Sequence, residues 1–85
     1  MDETAPRMSN LFLQLGLDAS DGAIAAFIRG HQLPAGVAVA DAPYWNTGQR
    51  QLLSEQLRED AEWAIVVDEL NEALHEDAAR PISGR

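Results

Sequence analysis

The sequence predicts an all-α fold, a small bundle of about four short helices with a long ordered loop, rich in proline and aromatic residues, between the second and third. Three observations predict it. Apolar residues recur at i, i+3, i+4 and i+7 in separate stretches, the spacing that lines one face of a helix. Residues that favour helix N-termini precede those stretches, and glycine or proline follows several of them. The second half, from Asn46 to Ala79, reads as two consecutive amphipathic helices with acidic outer faces and inner faces of leucine, valine and tryptophan.

Residues 1–7 mix acids, threonine and proline without an apolar period, and are expected to form a flexible N-terminus. Met8, Leu11, Phe12 and Leu15 then follow helical spacing. Ser9 is available as N-cap, Gly16 can end the helix in a left-handed turn, and Leu17 would pack back on the preceding turn. Asp18, Ser20 and Asp21 cluster where a second helix should begin, offering a side-chain acceptor and negative charge at the positive end of the helix dipole. Ile24, Phe27, Ile28 and His31 continue it, and Gly30 with Pro34 should stop it by about His31. A cationic imidazole at that end would be favoured by the dipole, so capping accounts for His31.

Leu33 to Trp45 is punctuated by Pro34, Gly36 and Pro43. The alternation of Val37 and Val39 suits a brief extended segment, but a lone strand has no partner here. Its hydrophobic residues and the Tyr44-Trp45 pair are therefore expected to lie over the helices as a lid. Asn46 and Gln49 form a capping-box pattern at the start of the third helix, whose expected buried stripe is Leu52, Leu53 and Leu57. Asp60 is placed to cap a fourth helix with Glu62 in its first turn. Trp63, Val67, Leu70 and Leu74 form its seam, with Val66 and Ala73 alongside. The opposite face holds Ile65, Asp68, Glu69, Glu72 and Glu76, which leaves Ile65 an exposed apolar residue set in acid. Arg80-Pro81 would end the helix. The expected domain is residues 8–77, followed by a flexible C-terminal tail over 78–85.

Eighty-five residues allow one domain with one core. The absence of cysteine removes disulfides, thiolate ligands and thiol nucleophiles together, so the core must hold itself or gain area from a partner. No apolar run approaches the roughly 20 residues needed to span a bilayer, and the acidic start Met1-Asp2-Glu3 lacks the basic region of a signal peptide. A cytoplasmic location with no membrane association is expected. Fourteen acids against six arginines give a net charge of −8, which opposes nucleic-acid phosphates. Between Glu55 and Asp77 there are nine acids and only Arg58 to offset them, so a charged partner of this half should be basic.

One spacing resembles a catalytic one. Glu72-x-x-His75 places a carboxylate and an imidazole three apart on a helix, as in di-iron bundles. Such sites need further carboxylates pointing into the bundle core, whereas Glu72 falls on the solvent face. Asp68, Glu69, Glu72 and Glu76 present a line of oxygens rather than a cage for Mg²⁺ or Ca²⁺. Neither histidine has a serine or cysteine near it in sequence, and Ser9, Ser20 and Ser54 read as caps or surface residues. With no glycine-rich phosphate motif either, the expectation is a protein that is not an enzyme, with no cofactor and no metal site.

A resemblance extends over most of the chain. Leu11-Phe12, Gln14-Leu15-Gly16-Leu17, Phe27-Ile28, His31, Leu33-Pro34 and Ala40-Asp41-Ala42-Pro43-Tyr44-Trp45 together resemble a family of short bacterial proteins that is a domain of unknown function. Glu59-Asp60-Ala61-Glu62-Trp63 and Val66-Val67-Asp68 extend it, so that it covers about Ser9 to Leu74. Where that family opens its third helix with Thr-Pro, this chain has Asn46-Thr47, and Asn46 can still cap. The resemblance implies no activity; it marks the proline-aromatic loop as characteristic.

The expected function is that of a non-catalytic, acidic protein-interaction module or regulator. Its partner would be another protein or a second copy of this chain, since the core is small for so many apolar residues. The candidate interface is Val37, Val39, Tyr44, Trp45 and Ile65, and the candidate acidic face is Asp68, Glu69, Glu72 and Glu76. The alternative from a different class is an acidic mimic of a nucleic acid that occupies a basic protein. A metal-dependent enzyme using Glu72 and His75 is the remote third.

Overall fold

Among residues 5–79, which the computed structural model describes, the regular elements are all helical. They are α1 (Met8–Gln14), α2 (Asp21–Gly30), a 3-10 turn (Val39–Asp41), α3 (Thr47–Glu59), α4 (Ala61–Leu74) and α5 (Glu76–Ala79). The expected Arg80-Pro81 stop and the outer parts of the expected flexible ends, residues 1–4 and 80–85, lie outside the described residues.

Local chemistry sets most of the boundaries. Gly16 has φ 78, the left-handed conformation that ends α1. Leu17 N–H donates to Phe12 O at 2.9 Å and Gly16 N–H to Leu13 O at 3.0 Å, the paired bonds that close a helix C-terminus of this kind. At the other end of α1 the cap is Arg7 rather than Ser9, and it makes no side-chain bond. The ladder begins with Leu11 N–H to Arg7 O, which puts Ser9 inside the helix. Ser20 caps α2 by accepting from Ala23 N–H. Asn46 and Gln49 form both bonds of the capping box on α3, at 2.8 and 3.0 Å.

Asp60 is at once the last cap of α3 and the first of α4. Its extended backbone, φ −138 and ψ 104, turns the chain back, and its carboxylate accepts from Glu62 and Trp63 N–H. The 3-10 turn lies against Arg50 near the start of α3, which donates to Ala42 O, and against Asn71 near the end of α4, which accepts from Val39 N–H. The two helices therefore run antiparallel, and they form the most extensive helix pair among the described residues.

Helix α4 is the centre of the core. It buries Trp63, Val66, Val67, Leu70 and Leu74 against Leu11, Phe12 and Leu15 of the α1 region, Leu53 of α3, and Leu33, Val39, Ala42 and Trp45. Full burial of such side chains is worth about 1.5–3 kcal/mol each relative to exposure. Two expectations need correction, for Leu57 and for the last helix, and the Val37 to Val39 stretch takes a definite form. Leu57 is 38 % exposed, while Gln56 is buried in its place because its amide reaches Gln14 Oε1 at the end of α1. Val37 and Val39 form no extended segment; with no strand to pair with, the backbone closes on itself in the 3-10 turn, through Asp41 N–H to Ala38 O and Ala42 N–H to Val39 O. The last helix is interrupted, because His75 leaves helical geometry at φ −111 and α5 begins anew at Glu76, separating Glu76 from the α4 face.

Candidate interaction surface

The segment between α2 and α3 begins by tying two helix ends together. The last carbonyls of a helix have no partner within it. Gln32 supplies one to both ends, its Nε2 donating to Ile28 O of α2 and to Ala73 O of α4, each at 2.9 Å. Its Oε1 accepts from Asp77 N–H in α5, and Leu33 N–H donates to Leu74 O at 2.8 Å. One glutamine thus joins three helices.

Aromatic rings fill the space beyond. Phe27 of α2 meets Phe12 edge-on at 5.5 Å and Tyr44 edge-on at 5.8 Å, and stacks with Trp45 at 5.6 Å and with the His31 ring at 3.9 Å. The Tyr44 hydroxyl donates to His31 O, and burial pushes its phenol above the ordinary value. Trp45 Nε1 donates to Val39 O at 2.6 Å. Trp45 is 5 % exposed and Val39 1 % exposed, so both belong to the core and neither can serve as a contact surface. A domain of this size needs its large side chains inside, and the indole N–H finds its acceptor there. Tyr44 and Val37 are half-buried against the same core.

Val37 also lines a cleft of about 560 Å³, bounded by Ala35, Gly36, Val37 and Ala38 on one side and Asn71, Glu72 and His75 on the other. His75 Nδ1 lies 2.6 Å from Asn71 O and Nε2 lies 2.6 Å from Val37 O. A metal on either nitrogen would have to displace a carbonyl. Among the described residues no three His, Asp or Glu side chains gather where a cation could be held.

The outer face of α4 is different in kind. Ile65 is 60 % exposed, the most open of the large hydrophobic residues among those described. Glu62, Asp68 and Glu69 stand three before, three after and four after it, all exposed, and Glu72 extends the line by another turn. Arg58 stands on α3, at 3.9 Å from its neighbour Glu59 in an exposed pair worth little. Leu13 and Leu57 are also exposed, on α1 and α3.

The family described as protein of unknown function (DUF2789) matches residues 1–74. The chain belongs to that family. The matched DUF2789 stretch ends at Leu74, the last residue of α4, so His75 and α5 fall outside it. The chain is similar to the solution NMR structure of protein CV0237 from Chromobacterium violaceum, with 39 % identity and a TM-score of 0.75 over 89 % of this chain and 96 % of that one. No curated protein matches. The resemblance carried by the Ala40-Asp41-Ala42-Pro43-Tyr44-Trp45 string and its companions is thus to this DUF2789 family. No helix among the described residues is long and apolar enough to cross a membrane.

Sequence reading missed Gln32 and Asn71, which hold the inter-helix segment in place. Both are polar residues at helix ends, where a glutamine or asparagine is ordinarily solvated, and their partners lie 41 and 32 residues away. Periodicity carries no trace of such bonds. The exposure of Ile65, by contrast, is set by its place on the helix wheel.

Proposed function

We propose that this protein is a non-catalytic interaction module whose contact surface is the outer face of α4, with Ile65 as the apolar anchor and Glu62, Asp68, Glu69 and Glu72 around it. The observation that supports this reading is the exposure of Ile65 on a helix face whose exposed neighbours at i−3, i+3 and i+4 are all carboxylates. A large aliphatic side chain left in water costs solvation that a partner would recover, and an acidic rim selects a basic partner. Self-association through this face would bring like charges together, so the partner is a different, basic protein. Tyr44 and Val37, half-buried, stay outside this surface.

Acidic mimicry of a nucleic acid uses the same carboxylates but has no use for Ile65, and this separates the two readings. The test is capture of binding proteins from lysate at low and high salt, with the wild type, Ile65→Ser and Asp68→Asn/Glu69→Gln/Glu72→Gln as baits. An interaction module loses its partner in both variants. A mimic loses it only in the charge variant and keeps it in Ile65→Ser. A partner retained by both variants removes α4 as the contact surface.

A further inference from the structure

His75 stands between two acceptors. Asn71 O lies one turn back in α4, and Val37 O belongs to the segment that crosses the end of that helix, each 2.6 Å from a ring nitrogen. A carbonyl oxygen only accepts, so each contact requires an N–H on the ring. Neutral imidazole has one N–H, and the imidazolium has two. His31, at the corresponding end of α2, meets the single carbonyl of Phe27 at 2.8 Å, which a neutral ring satisfies.

We propose that His75 is a proton-operated clip: its imidazolium fastens residues 34–38 to the end of α4, and loss of one ring proton unfastens them. With that proton gone, a nitrogen lone pair faces a carbonyl oxygen at hydrogen-bond distance, and one of the two contacts has to open. The bond to Asn71 spans only four residues of one helix, whereas the bond to Val37 joins segments 38 residues apart. The distant contact is the one released. The residues on either side stay tied to α4, through Leu33 N–H to Leu74 O and Val39 N–H to Asn71 Oδ1.

The charged side chains nearest in the chain are acids. Glu72 of α4 lines the same cleft, and Glu76 and Asp77 follow in α5. Residues 34–38 contain no titratable side chain. At the end of α2, the His31 ring meets Phe27 O and the Tyr44 hydroxyl meets His31 O, so both are engaged away from His75. The fastened form holds one proton more than the released form, so its share falls as pH rises. Because residues 35–38 form one wall of the cleft, release widens it.

The test uses the full chain and NMR, following the ring nitrogens of His75 and the exchange of the Val37 and Val39 amides from acid to alkaline pH, corrected for intrinsic exchange. The expected result is two protonated ring nitrogens at the acid end. As one proton leaves, Val39 should exchange roughly tenfold faster relative to Leu70, the scale of one charge-assisted hydrogen bond. His75→Gln should remove this pH response and His31→Gln should keep it. A neutral His75 ring at the acid end with Val37 still in place would overturn the proposal, as would the same pH response in His75→Gln. The titration of the wild-type ring decides the matter even if a variant does not fold.

Discussion

Helices α2 and α4 are held in the molecule by different means. Helix α4 buries five side chains and packs against every other helix among the described residues, so its own apolar face fixes it. Helix α2 fully buries none of its ten residues. It rests on half-buried Ile24, Phe27 and Ile28, and its C-terminal end is secured by Gln32, by the His31 carbonyl under Tyr44, and by the rings packed on Phe27. One helix is positioned by area, the other by directed bonds at one end. Area alone would give α2 freedom to slide or rotate; the bonds at Gln32 set its phase.

Substitutions at the two helices should therefore act differently. Leu70→Ala removes a fully buried side chain from α4 and should lower global stability by about 2–5 kcal/mol, read as a shift of the denaturant midpoint. Gln32→Ala removes the bonds to Ile28 O, Ala73 O and Asp77 N–H and should cost about 1–3 kcal/mol. Its signature is regional: hydrogen exchange should quicken in α2 and α5 before α4 is affected. If exchange instead rises equally throughout α4, the two helices are one cooperative unit and the contrast fails.

A smaller effect comes from pH. Tyr44 is the sole tyrosine, so its ionisation can be followed by absorbance. Its folded phenol titrates above the ordinary value because it is partly buried, so the unfolded chain loses the proton first. Stability should therefore fall as pH rises past the ordinary phenol value, and once ionised the phenolate has no proton to donate to His31 O. At the acid end, Asp18 behaves oppositely. The Ser20 backbone and hydroxyl bonds hold its carboxyl below the usual value, so its contribution is present above the ordinary carboxyl value and is lost as pH falls from there through the lowered one.

The parts of the fold that are legible in the sequence are those decided within one turn of chain. Gly16, Ser20, Asn46 with Gln49, and Asp60 each do in the structure what their residue type and position predict. The seam of α4 is legible for the same reason, since helical phase alone puts Trp63, Val67, Leu70 and Leu74 together. Leu57 and Gln56 are not. They are neighbours on α3, and which of them is buried depends on Gln14 being 42 residues away along the chain and close in space. The burial of Trp45 and Val39 likewise rests on their mutual hydrogen bond and on Asn71, and the break at His75 coincides with a contact to Val37. Ile65 is legible as exposed because nothing beyond the helix itself is needed to turn it outward.

The joint at Asp60 limits how the chain can change length. A single residue separates α3 from α4, so the rotation of one helix about its axis relative to the other is set by that residue's two backbone angles. A residue added in the first turn of α4 advances the rest of that helix by about 100° and carries Val67 and Leu70 off the seam, toward the side now occupied by carboxylates. No loop is available to absorb the offset. Insertions and deletions should be refused at this joint, which acts as the index mark from which the rest of the second half is counted.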